Sequence, residues 1–323
     1  MDNIIRHYGV LAVLVLAVMF CTGCSRGAKV TFTQGDNKID IRIDGTSVAE
    51  YRYTSDLVKP VLYPIRTLNG VIITRHFPFE EVEGESHDHP HHTGVFFTYD
   101  EVNGNRFWAS TSSPPQIRHI NIADMRDGKR EGTLSSVSHW TAKNGQILLE
   151  EQRTMAVYPG VNEYAIDFII KITAVDTTVV FGSTKEGMFA IRVAPWLKEN
   201  GGNGKYLSSR GGTTAADIWA RRAEWVRLEG EKDGIKAGIA IMNHPSSTNF
   251  PTFWHARDYG LFSANPLGQT FFQKSRGEEN PEPYELTLQK GESTIFRFQM
   301  ICYDGTRNKE EMEQKFRVYS GRQ

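Results

Sequence analysis

Tyr164-Ala165-Ile166-Asp167-Phe168-Ile169-Ile170-Lys171-Ile172 puts an apolar side chain at every even position for nine residues. A side-chain period of two belongs to a β-strand with one face buried, because a helix would scatter these residues around its axis. The same alternation runs through Val30-Thr31-Phe32 and Ile39-Asp40-Ile41-Arg42-Ile43, and it puts Phe296, Phe298, Met300 and Cys302 on one face. Asp44-Gly45 supplies the turn chemistry of an antiparallel hairpin, as does Lys290-Gly291 between expected strands at 284–289 and 293–303. With 11% aromatic residues, 18 of them Phe, the chain can fill a wide sheet-on-sheet core. Helix signals are few: Asn308 can cap a helix over 308–318, and a short helical turn fits 214–223. The expected architecture is all-β, a large antiparallel sandwich with a short C-terminal helix, forming one domain over residues 24–323.

At the other end, Arg6 precedes an apolar run over 10–20 and then Cys21-Thr22-Gly23-Cys24. That run is too short to span a bilayer and has the layout of a bacterial lipoprotein signal peptide over 1–23, with Cys24 as the lipidated residue. The expected location is a membrane-anchored lipoprotein, periplasmic or at the outer-membrane surface, with the lipid as its one membrane contact. After processing only Cys302 remains, so no internal disulfide is expected. With 37 basic against 38 acidic residues, the net charge of −1 carries no footprint for nucleic acid.

Four of the ten histidines fall in His87-Asp88-His89-Pro90-His91-His92-Thr93-Gly94. Imidazole titrates near neutrality and ligates metals, so proton transfer, metal binding and a hydrogen-bonded knot are the open uses. Pro90 excludes a helical metal motif; in an extended segment His87, His89 and His91 point one way and Asp88 and His92 the other. Asp88 can then fix the tautomer of His91 or His92 in a proton-transfer unit. The alternative is a divalent metal on His87 and His89 with a distant third ligand such as His255.

A second group, Thr184-Lys185-Glu186-Gly187-Met188-Phe189-Ala190-Ile191-Arg192, sets charges around an apolar strand. Glu186 is the natural opposing carboxylate, with Lys185 and Arg192 as anion clamps. A third, Phe253-Trp254-His255-Ala256-Arg257-Asp258-Tyr259-Gly260, mixes aromatic faces with polar groups in the manner of a sugar site. Trp254 and Tyr259 would stack on the sugar ring, Arg257 would fork to hydroxyls, and His255 and Asp258 would join the chemistry; Trp219, Trp225, Arg221 and Arg222 could extend the surface. The glycine-rich 199–212 reads as a mobile flap.

Tyr63-Pro64 with Thr74-Arg75, Asp88 to Gly94, Val102-Asn103-Gly104 with Phe107-Trp108, Thr184 to Arg192, Gly238-Ile239-Ala240-Ile241 with His244-Pro245, and Trp254 to Pro266 together resemble the bacterial family labelled PmoA-like, or methane oxygenase PmoA. Thr93 stands where that pattern has Arg, and Asn243 where it has Asp. A methane oxygenase would need membrane-spanning segments that this sequence does not offer. The resemblance implies instead a galactose mutarotase-like sandwich in lipoproteins of glycan-degrading bacteria, acting on a mono- or oligosaccharide as epimerase, lyase or glycoside hydrolase. By analogy with mutarotase-like sites, His91 or His92 would protonate a ring or glycosidic oxygen and Glu186 or Asp258 would accept a proton. Arg75, with the adjacent His76, and Arg192 and Arg257 would orient hydroxyls or a uronate. A metal-dependent sugar lyase or hydrolase and a non-catalytic glycan-binding lipoprotein are the rival functions.

Overall fold

A computed structural model describes residues 27–111 and 114–322. Cys24 and the expected leader lie outside the described residues. Among the described residues no helix is long and apolar enough to cross a membrane.

Two antiparallel sheets make the body of the molecule. The first runs in the order Phe253–Ala256, Leu261–Asn265, Gly187–Arg192, Val95–Tyr99, Val61–Ile65, Thr46–Arg52, Lys38–Ile43, Lys29–Gly35, Gly128–Lys129. The second runs Lys205–Ser208, Trp225–Lys232, Ile235–Asn243, Ser293–Asp304, Glu163–Ala174, Ile147–Pro159, Gly132–Thr141, Gln116–Arg126. The alternating stretch 164–172 lies in the middle of the second sheet, between Ile147–Pro159 and Ser293–Asp304. Its Tyr164, Ile166, Phe168, Ile170 and Ile172 are buried with Phe296, Phe298, Met300 and Cys302, as the pattern requires. From the first sheet Leu62, Phe97, Phe189, Phe262 and Trp254 join the same continuous cluster, so the two inner faces close on one core. Asp44 and Gly45, both at positive φ, turn Lys38–Ile43 into Thr46–Arg52.

The C-terminal helix, Lys309–Ser320, begins on an Asn308 capping box with Glu311. Ala215–Ile218 is the short helical turn, capped by Thr214. A third helix, Gln269–Ser275, was not expected from the sequence. Two expectations change. Leu286–Leu288 pairs with Val179–Phe181 rather than with the strand that follows Lys290-Gly291. The flap expected at 199–212 is packed: Lys205–Ser208 is a strand with Tyr206 and Ser208 buried. Gly204 lies so close to the chain that an added Cβ would meet the Leu197 carbonyl oxygen at 2.0 Å. The glycines there allow close backbone approach, not mobility.

The first sheet turns its other face away from the core, and that face carries the polar residues of interest. Its register lines up Val61, Phe96, Ala190, Ser263 and His255 across five strands. Arg192, two residues beyond Ala190, is on the same side.

Candidate functional site

The histidine segment lies over this face as a turn, not as an extended strand. The His92 amide donates to the His89 carbonyl at 2.9 Å, closing a turn with Pro90 in the position proline favours. His89 has φ +46. The alternation expected of His87, His89 and His91 is therefore lost, and the rings of His89, His91 and His92 gather instead. His89 stacks on His92 at 4.8 Å, and His91 meets His92 edge-on at 4.3 Å. Gly94 ends the turn at φ +57, where a Cβ would stand 2.3 Å from the Leu62 carbonyl oxygen. Only glycine lets the chain enter Val95–Tyr99 so close to its neighbour.

Arg75 and Arg192 hold this turn in place. Their backbones are joined, with the Arg75 amide donating to the Arg192 carbonyl at 3.0 Å, so both guanidiniums reach the same carboxylate. Asp88 Oδ1 accepts from Arg75 at 2.8 Å and from Arg192 at 2.7 Å. Arg75 also donates to the carbonyls of Ser86, Asp88, His89 and His92. Arg75 is thus consumed in building the loop and is only 2% exposed, which leaves it no hydroxyl to orient. Burial and the neighbouring Arg192 lower its pKa to about 10. Asp88 pairs with His89, Oδ2 to Nδ1 at 2.7 Å, and not with His91 or His92 as expected. Burial alone would raise the Asp88 pKa, but hydrogen bonds from Ser86, His89 and Arg192 hold it well below the usual carboxylate range.

His91 and His92 are kept neutral. Burial, then the Lys59 ammonium, lowers His91 to about 4; burial, then His91 and Arg192, takes His92 well below its ordinary value. His92 is walled by Trp108 at 5.5 Å and Phe96 at 6.1 Å. Lys59 was not named from the sequence, and Trp108 only as part of the resemblance. The signal was there for Lys59, a cation directly ahead of the apolar run 61–65. It is 2% exposed, donates to the His91 carbonyl at 2.9 Å and sits 5.0 Å from the Phe96 ring centre. Burial lowers its pKa to about 7.

The other two segments meet this cluster through Tyr259. Its ring stacks on His89 at 5.1 Å, with the Arg192 and Arg257 guanidiniums 4.6 and 5.5 Å from its centre. Tyr259 is half-buried and packs against these three groups. His255 is buried with Nδ1 3.9 Å from Glu186 Oε2, and Glu186 is joined to Lys185 through Oε1. Burial, followed by the charges of Lys185 and Arg257, lowers His255 to about 3.

Several expected residues stand apart. Trp254 is fully buried and donates its indole N–H to the Ala223 carbonyl at 3.0 Å, so it belongs to the core rather than to a sugar surface. Trp225 is likewise buried, and Trp219 packs on Phe272. Asp258 is exposed at the hairpin tip, with its carboxylate 3.4 Å from the Asn200 amide. His76 is bound to Glu85 at 2.8 Å, and His87 stacks on Phe77 at 4.5 Å. His87, His89 and His255 therefore do not converge. Among the described residues no three His, Cys, Asp or Glu side chains gather as a metal set. Elsewhere a groove of about 620 Å³ lies along the C-terminal helix, but its Glu163, Arg307, Lys315 and Arg322 are already in ion pairs.

Over residues 38–317 the sequence matches a family described as of unknown function, DUF6807, and the chain belongs to that family. No curated protein matches it. The PmoA-like name finds no support in these comparisons. Among solved structures, the chain is similar to the GH36 α-galactosidase AgaA from Geobacillus stearothermophilus, at 11% identity and TM-score 0.46, covering 88% of this chain and 42% of that one. It thus spans about two-fifths of that α-galactosidase. It is also similar to a galactose 1-epimerase from Lactobacillus acidophilus NCFM, at 8% identity and TM-score 0.37, covering 86% and 98%. A galactose mutarotase-like protein from Clostridium acetobutylicum matches at 9% identity and TM-score 0.40, covering 87% and 99%.

Proposed function

We propose that this DUF6807 protein is a carbohydrate-active lipoprotein, anchored through Cys24, that binds a mono- or oligosaccharide on the outer face of its first sheet. It acts there by histidine and carboxylate acid–base chemistry in glycan degradation. The observation that carries this reading is the meeting at Tyr259 of His89, Arg192 and Arg257, with His255 near enough to feel the charges of Arg257 and His89, and Tyr259 that of Glu186. Neutral imidazoles both donate and accept hydrogen bonds, guanidiniums donate in a planar fork, and a polyhydroxylated ring needs both.

The lowered pKa values reassign the roles. At pH 7 an imidazole with a pKa of about 4 is neutral, so His91 acts as a base or a hydrogen-bond partner rather than as a charged imidazolium acid. His255, with Glu186 beside it, is a second acceptor. Arg192 and Arg75 hold the histidine turn to Asp88, and Arg257 orients the substrate.

Purified protein offered a panel of glycans and keto-sugars should form product, and His91→Ala and His255→Ala should each lower kcat by about 10² or more. Full turnover in both variants would overturn the assignment. The neutral state of His91, His92 and His255 favours one second reading, a glycan-binding lipoprotein without turnover. Sugar affinity by calorimetry with no product from any substrate would select it.

A further inference from the structure

We infer that the site takes a saccharide bearing a carboxylate, with Arg257 as the fork that holds the acid group; the inference rests on the saccharide reading above and names its substrate class. Arg257 is half-buried, and its guanidinium makes no hydrogen bond or ion pair among the described residues and lies 5.5 Å from the Tyr259 ring centre. The other arginines at the site have partners: Arg75 and Arg192 share Asp88. Glu186, the carboxylate nearest His255, is joined to Lys185. Glu85 bears on Arg75 and Asp258 follows Arg257, so Arg75, Lys185, Arg192 and Arg257 face the carboxylates Glu85, Asp88, Glu186 and Asp258, and of these four cations Arg257 is the one with no carboxylate in ion-pair reach among the described residues.

The histidines do not add to that charge, since the same cations, together with burial, keep His91, His92 and His255 neutral. An unpaired fork presents a bidentate position for a planar anion, and guanidinium matches carboxylate in that geometry. Arg257 is also held over an aromatic ring, so little side-chain freedom is lost when an anion binds. Its hairpin adjoins the His255 strand, so a bound carboxylate would lie beside the neutral imidazole and Glu186. A base near a uronate meets the proton adjacent to the carboxylate, the position that proton-abstracting chemistry on sugar acids uses.

The test is calorimetry at pH 7 on the full chain with D-glucuronate, D-galacturonate, D-glucose, D-galactose and D-glucose 6-sulfate, repeated on Arg257→Gln and Arg257→Lys. The expected result is a uronate bound about tenfold or more tighter than its parent hexose and tighter than the sulfate. That preference should vanish in Arg257→Gln and fall to an intermediate value in Arg257→Lys, which keeps the charge without the fork. The guanidinium makes no hydrogen bond in the fold, so equal melting temperatures of variant and wild type serve as the folding control. Equal affinity for hexose and uronate would overturn the carboxylate inference while leaving the saccharide reading standing. A preference for the sulfate, or one that survives Arg257→Gln, would also overturn it. Binding of none of the five would remove both.

Discussion

Asp88 satisfies two guanidiniums that are otherwise almost wholly buried, those of Arg75 and Arg192. Removing the acceptor leaves both guanidiniums without a countercharge, Arg75 keeping its carbonyl acceptors, so Asp88→Ala should lower stability by about 3 kcal/mol, the low end for a broken buried pair because the carboxylate is 35% exposed. Urea denaturation of the variant beside wild type measures this. The histidines give a pH dependence whose sign can be worked out. Folded His91 and His255 titrate at about 4 and about 3, below the 6.5 of an unperturbed imidazole. The unfolded chain therefore binds more protons as pH falls below 6.5, and stability is lost from there down to the folded values. His255→Leu should lessen that acid loss, as read by denaturation at pH 4.5 and 7. Lys59 acts at the other end: folded at about 7 against 10.5, it gives up its proton first in the folded state, so stability rises from about pH 7 to 10.5. Relative to Lys59→Met, wild type should gain stability between pH 7 and 9.5.

The strand elements were legible because their periodicity comes from one buried face, and the alternation at 164–172 needs no distant partner to be read. The histidine turn was not. Its geometry depends on His89 at positive φ and on Arg75 reaching four carbonyls of the loop, neither of which the local sequence encodes. Trp254 and the glycines of 199–212 were misread for a related reason. A Trp next to a polar histidine looks exposed until its strand is known to turn that side chain into the core, and glycines mark close approach as readily as freedom. At this scale, Gly94→Ala must push Cβ against the Leu62 carbonyl from a left-handed φ. The cost should be about 2 kcal/mol or more, with the His91 and His92 resonances displaced in NMR spectra.

Across the whole molecule, the two sheets share one apolar cluster, so calorimetry should show a single cooperative unfolding transition. Trp254→Ala should cost about 3 to 5 kcal/mol through the cavity left in that core. The sandwich class was readable from the chain, and so were the three segments proposed to carry the chemistry. Their meeting was not, because it depends on a strand order that puts Gly187–Arg192 between Val95–Tyr99 and Leu261–Asn265. Tyr259 is where that order brings His89, Arg192 and Arg257 together, and the proposed function requires this convergence to be a single ligand site. The most direct test is a titration of the protein, labelled with 13C at histidine Cε1, with the same hexoses and hexuronates. One sugar should shift His89, His91 and His255 together along one saturation curve while His119 and His139 stay still. Shifts confined to His119 or His139, independent curves for His91 and His255, or no shift with any sugar would contradict it.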